Sequence, residues 1–151
     1  MSLRERLQSE TMQAMKRGER ERVSTLRLLS AALKNREIAL GRPLAEAEEL
    51  EVVQAAVKQR RETINLARQH GREEIAQKEE RELAILEAYL PAPLSEEELR
   101  QHIEAAIRDV GASSPQDVGR VMRVLMPALR GRVAGSELNR LVRERLTRGS
   151  S

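Results

Sequence analysis

The sequence predicts an all-α protein, an N-terminal set of about four helices followed by three more. Three observations carry this. Apolar residues recur at spacings of three and four through most of the chain, the period of a helix with one buried face. No stretch alternates apolar and polar residues with β-branched enrichment, and no Asn-Gly hairpin turn occurs. The core must also be aliphatic, because Phe and Trp are absent and Tyr89 is the only aromatic residue. Helices packing through Leu and Ala suit that composition.

The elements follow in order. Ser2 to Glu5 reads as a capping box, with the Ser hydroxyl and the Glu carboxylate taking up early backbone donors. Leu3, Leu7, Thr11, Ala14 and Met15 give the first helix its period, and Gly18 ends it. A second helix starts near Glu19 and carries Val23, Leu26, Leu29, Ala32 and Leu33 as its buried stripe. Gly41 is its C-cap, with Pro43 beyond. A third helix is expected over Leu44 to Gln69, with Leu50, Val53, Val57, Ile64 and Ala67 inside and a basic run, Lys58 to Arg61. Gly71 interrupts the pattern. The fourth helix has apolar anchors at Ile75, Leu83, Leu86 and Leu90, and its first half, Glu73 to Glu82, is so charged that it is expected to stand exposed and to project.

Leu90-Pro91-Ala92-Pro93-Leu94 is the clearest break. Each proline removes a donor and drives the preceding residue toward extended geometry. A domain boundary is placed here, giving residues 1–90 and 95–148. Ser95 to Glu98 forms a second capping box. Leu99, Ile103, Ala106, Ile107 and Val110 continue that helix to Gly111, and Ser114-Pro115 starts the sixth. Pro127 should kink or end the sixth helix, which is expected to reach Arg130. The seventh follows Gly135-Ser136 and runs to about Leu146, leaving Arg148 to Ser151 as a frayed end.

Of the chain's 151 residues, 40% are hydrophobic and 34% charged, enough apolar content for a core and too much for disorder. No apolar run approaches the roughly 18 residues of a membrane span. The charged start, Met1 to Arg6, lacks the apolar block of a signal peptide. Cysteine is absent, so no disulfide or thiolate metal site forms. A cytoplasmic protein is expected.

The net charge of +3 is unevenly placed. Residues 1–94 are close to neutral, and Ser95 to Val118 is acidic. From Gly119 onward eight arginines face only Glu137 and Glu144. At 100° per residue, Val118, Val121, Met122, Leu125 and Leu129 share one side of the sixth helix, with Arg120, Arg123 and Arg130 opposite. Leu138, Leu141, Val142 and Leu146 cluster on the seventh, with Arg140 and Arg143 across from them. Any amphipathic helix puts polar residues outside, but here the outer residues are nearly all one sign. Arginine is a strong bidentate phosphate ligand, so a phosphate backbone is the anion such a face would meet. Aromatic stacking cannot contribute, which leaves phosphate and shape. Gly131 and Gly135 turn the chain between the two helices and add backbone amides at a helix N-terminus, which favour an anion.

Enzyme motifs are missing. There is no thiol nucleophile, no Gly-x-x-x-x-Gly-Lys phosphate loop and no Gly-x-Gly-x-x-Gly. Glu98 and His102 stand one turn apart, but the further ligands a metal needs are not evident. Adjacent glutamates such as Glu73/Glu74 and Glu79/Glu80 diverge around a helix and read as solvated charge. No catalytic residue, cofactor or metal is expected.

Gly119-Arg-Val-Met122, Leu125-Met126-Pro127, Arg130-Gly131-Arg132 and Asn139-Arg-Leu-Val142 resemble the C-terminal signature of the GatB/YqeY domain family, in its stand-alone YqeY-like form. Leu26-Arg27, Ala31 to Asn35, Lys58 to Arg60, Ala67 to Arg72, Glu87 to Pro91 and Gly111 to Ser114 resemble further family segments. Two positions depart: Arg123 stands where the family usually has Gly, and Ala134 where it often has Asp. The resemblance implies an N-terminal helical domain and a three-helix domain similar to the tail of the B subunit of the tRNA-dependent amidotransferase. That tail contacts tRNA, while amidation chemistry belongs to other domains. The implied function is a tRNA-associated accessory module using Arg120, Arg123, Arg130, Arg132, Arg140 and Arg143, without catalysis of its own. Two alternatives stand beside it. One is a protein-interaction adaptor using the Glu73–Glu82 helix or the Lys58–Arg61 run. The other is a component of glutamine-dependent amidation of aminoacyl-tRNA, a carbon–nitrogen ligase by resemblance only.

Overall fold

A computed structural model of the chain describes residues 1–149; of the expected frayed end, Ser150 and Ser151 lie outside the described residues. Seven α-helices and one 3₁₀ turn make up the regular structure of the described residues, with no strand among them: α1 Leu3–Lys16, α2 Arg20–Leu40, α3 Glu46–Gln69, α4 Glu73–Glu87, α5 Glu96–Val110, the 3₁₀ turn Pro115–Asp117, α6 Val118–Leu129 and α7 Gly135–Arg148. The all-α expectation holds. The chain divides into two compact units, Met1–Pro91 and a second that begins at Ala92.

In the first unit α1 packs on α2, α3 pairs with α4, and α2 touches both of the latter. Leu7, Leu26, Leu29, Leu33, Val53, Val57, Leu86 and Tyr89 form the main core. Several helix ends carry caps that the sequence announces. Ser2 Oγ accepts the Glu5 N–H at 3.2 Å. Gly18, at φ 72°, lets the chain reverse so that its own N–H reaches the Met15 carbonyl and the Glu19 N–H the Ala14 carbonyl. A residue with a Cβ would be strained there. Glu48 is buried; its carboxylate takes two bonds from the Arg42 guanidinium, at 2.7 and 2.8 Å, and one from the Ala45 N–H at 2.8 Å. This caps α3, which starts two residues later than the apolar pattern suggests.

The first half of α4 does not project. Ala76 is fully buried against Ile64 and Ala67 of α3, while the expected anchor Ile75 is 44% exposed. A small residue lets two helix backbones approach, and large apolar side chains are not needed for that. Met15, expected inside α1, is 54% exposed.

In the second unit α6 packs between α5 and α7. Its core holds Ile103, Ala106, Ile107, Val118, Val121, Leu125, Leu129, Leu138, Val142 and Leu146. The Ser95–Glu98 capping box forms, with the Glu98 N–H on Ser95 Oγ at 3.0 Å and the Ser95 N–H on Glu98 Oε1 at 3.3 Å. Glu98 is therefore a cap. The run after Ser114 begins as a 3₁₀ turn held by Asp117, whose carboxylate accepts the Ser113 and Ser114 N–H groups at 2.9 and 3.2 Å. Pro127 lies inside α6, which ends at Leu129. A proline there has no N–H to give the Arg123 carbonyl, so that acceptor loses its helical partner.

Candidate nucleic-acid interface

The six arginines singled out in the second unit fall into different environments. Arg120 projects from the first turn of α6. It bonds Asp117 Oδ1 at 3.2 Å and donates to the Val110 carbonyl at the end of α5. Arg140 sits between Glu137 at 3.9 Å and Glu144 at 2.9 Å, one turn to either side on α7. Arg132 is half-buried and donates to the Ala92 carbonyl at 3.3 Å. These three spend part of their charge or their donors on the unit itself.

Arg123, Arg130 and Arg143 are exposed. The Arg143 guanidinium bonds the Asn139 side-chain oxygen at 3.4 Å and makes no ion pair among the described residues. Arg123 makes none either. It stands on the outer face of α6 one turn from Gly119 and one from Pro127, both exposed. A Cβ placed on Gly119 would meet nothing within 4 Å. The glycine is not required by packing or by its backbone angles, and in a helix interior it costs about 0.5–1 kcal/mol against alanine. The outcome is a low surface from which Arg123 stands clear. α6 itself carries no Asp or Glu.

Arg145 shows where charge counting fails. It lies on the inner side of α7, 19% exposed, and its guanidinium pairs with Glu104 of α5 at 3.0 Å through one nitrogen and more closely through another. The signal was present in the sequence, since Arg145 falls among the apolar residues of α7 on a helical wheel. Arg145 holds Glu104 below the usual carboxylate range, mainly through their hydrogen bond. Asp117 is lowered by the Ser113 and Ser114 N–H bonds.

Several charges of the two surfaces expected to serve an adaptor meet one another across α3 and α4. Arg68 pairs with Glu73 at 3.4 Å and with Glu80. Arg60 lies 3.3 Å from Glu79 and 3.1 Å from Glu82. Arg61 meets Glu87 at 3.2 Å. These contacts zip α4 onto α3. Burial and the neighbouring Glu79 charge push the Glu82 carboxyl up.

Among the described residues, no group of three His, Asp or Glu side chains could hold a metal ion, and no helix is long and apolar enough to cross a membrane. His70 and His102 are exposed. Residues 4–146 match the sequence profile of the family described as Yqey-like protein, and the chain belongs to that family. It is also 32% identical over 107 residues to the protein named Altered inheritance of mitochondria protein 41, mitochondrial, of Eremothecium gossypii. That match covers 69% of this chain and 58% of the relative, so the chain spans less than two thirds of the relative's length.

Proposed function

We propose that the chain is a tRNA-binding accessory module with no catalysis of its own, and that its second unit carries the contact. The supporting observation is the exterior of α6, where two arginines and no carboxylate stand on the helix and Arg123 rises between Gly119 and Pro127 without an ion pair among the described residues. Arg143 and Arg130 extend the cationic exterior. Arg120 and Arg140 rank lower because each is paired with a carboxylate, and Arg132 because it is half-buried. An A-form or folded RNA offers phosphates and no need for aromatic stacking, which suits a surface that has none. The low profile at Gly119 admits a backbone at close range.

The likeness of Gly119–Val142 to the amidotransferase B-subunit tail makes tRNA the RNA of choice. A share in glutamine-dependent amidation, as a carbon–nitrogen ligase component, rests on that likeness alone. The setting is proposed to be cytoplasmic, while the relative is named as mitochondrial. Amide chemical shifts of the full chain titrated with bulk tRNA test the reading. Shifts confined to α6 and α7 are expected; shifts elsewhere, or none at low salt, would refute it. Glutamine-dependent amidation of Glu-tRNA by the purified protein would overturn the absence of catalysis.

A further inference from the structure

The first unit has a second cationic surface, hidden from charge counting because residues 1–94 are nearly neutral overall. The buried residues of α2, Val23, Leu26, Leu29 and Leu33, face inward. Arg20, Arg27 and Lys34 lie along the flank of the helix that adjoins Val23. They are seven residues apart, so they form a row along the helix with steps of about 10.5 Å and little rotation between them. All three are exposed, and none has an ion pair among the described residues. The side-chain partner of Arg27 is the sulfur of Met15, at 3.5 Å.

The row is bordered by apolar surface. Leu28 and Ile38 of α2 are 56% and 68% exposed, and Met12 and Met15 of α1 are 55% and 54% exposed. Arg27 lies at the centre. It lines one surface groove of about 730 Å³ together with Met12, Arg4 and the carboxylates of Glu5, Glu37 and Glu49, and another of about 680 Å³ together with Met15, Leu28, Arg20 and Glu19. Clustered large apolar side chains on an exterior mark a contact surface. Methionine adapts to irregular partners.

We infer that this face of α1 and α2 docks an acidic amphipathic helix of a partner protein. Its carboxylates would meet Arg20, Arg27 and Lys34, and its apolar stripe would cover Met12, Met15, Leu28 and Ile38. The row from Arg20 to Ile38 spans about 27 Å, the length of a helix of roughly 18 residues. RNA fits poorly. Covering aliphatic side chains with sugar and phosphate gains little, and Tyr89, the only Phe, Tyr or Trp of the sequence, is 6% exposed. A second copy using the same face antiparallel would set Arg27 against Arg27 and Arg20 against Lys34, and like charges repel. This surface is separate from the arginines of α6 and α7, so its failure leaves the tRNA reading standing.

The test uses the full chain and a helical peptide with Leu and Met on one face and Glu at every seventh position along its edge, alongside the same peptide with Lys for Glu. The Glu peptide is expected to shift amides of α1 and α2, and the Lys peptide to leave them unmoved. Arg27→Glu should weaken the Glu peptide about tenfold or more and admit the Lys peptide. Leu28→Ser should weaken the Glu peptide without changing that preference. Both positions are exposed, so the fold survives and circular dichroism checks it. The inference is overturned if the Glu peptide fails to bind at millimolar concentration, or if both variants bind it as before. It is equally overturned if tRNA shifts this face, or if Arg27→Glu changes the oligomeric state.

Discussion

Ala134 offers a quantitative test of how α7 is built. It occupies the N-cap of α7 at φ −63°, ψ 134°, and its side chain makes no capping bond. The Ala134 carbonyl already accepts the Leu138 N–H at 3.0 Å, so the helix begins correctly without a side-chain acceptor for its first amides. Ala134→Asp supplies one. An Asp in place of Ala at an N-cap contributes about 0.5–2 kcal/mol, typically 1, and the helix dipole adds about 0.3 at an exposed site. For a unit of this size, about 1.3 kcal/mol raises Tm by roughly 5–10 °C. Amide hydrogen exchange across α7 reads the gain in the second unit alone. The carboxylate's folded pKa should be depressed, as that of Asp117 is by the Ser113 and Ser114 N–H groups. The gain is therefore full above the unfolded value near 3.9 and lost as pH falls through the lower folded value. Ala134→Asn should give a similar gain that survives acid. No slowing of α7 exchange in either variant, or an Asp gain that persists at pH 2, would refute the capping argument. Unchanged tRNA affinity would mark the frequent family Asp as structural.

Three further outcomes follow from the first unit. Glu82→Gln should flatten the pH profile of stability: the raised pKa means the wild type loses stability as pH climbs from the ordinary carboxylate range through the raised value, and the amide lacks that loss while Glu79 still meets Arg60; pH-dependent urea unfolding reads it. Tyr89→Phe should cost about 1–2 kcal/mol, because the hydroxyl donates to Glu10, accepts from Arg22 at 3.4 Å and has its pKa pushed up to about 12 mainly by burial; the same unfolding curves measure it. Ala76→Leu should destabilise by about 1–3 kcal/mol through overpacking against α3; a neutral effect would mean that α4 stands away from α3.

Much of this was legible from residue order. Caps and breaks are local, so Ser2, Gly18, Ser95 and the Pro91–Pro93 pair carried their meaning at a distance of a few residues. The stripes that became Leu26–Leu29–Leu33 and Val121–Leu125–Leu129 needed only the helical period. The losses came where contacts are remote. Arg60 meets Glu79 and Glu82 across a hairpin whose register no local rule fixes, and Ala76 is buried because of what lies opposite. Charge totals were the other weakness. They overstated the free cations of α6 and α7, where Asp117, Glu137, Glu144 and Glu104 lie within reach, and averaged away the row on α2 although its seven-residue spacing is plain in the sequence.

The central claim is that exposed arginines of the second unit bind tRNA through its phosphates. Titration of the full chain with bulk tRNA over a salt series, beside the Arg123→Glu/Arg143→Glu double variant, tests it most directly. The expected result is a Kd that weakens steeply with salt, and a variant whose log–log salt slope is shallower by about 2. A wild-type chain that does not bind at low salt, or a variant with the same affinity and slope, would contradict it.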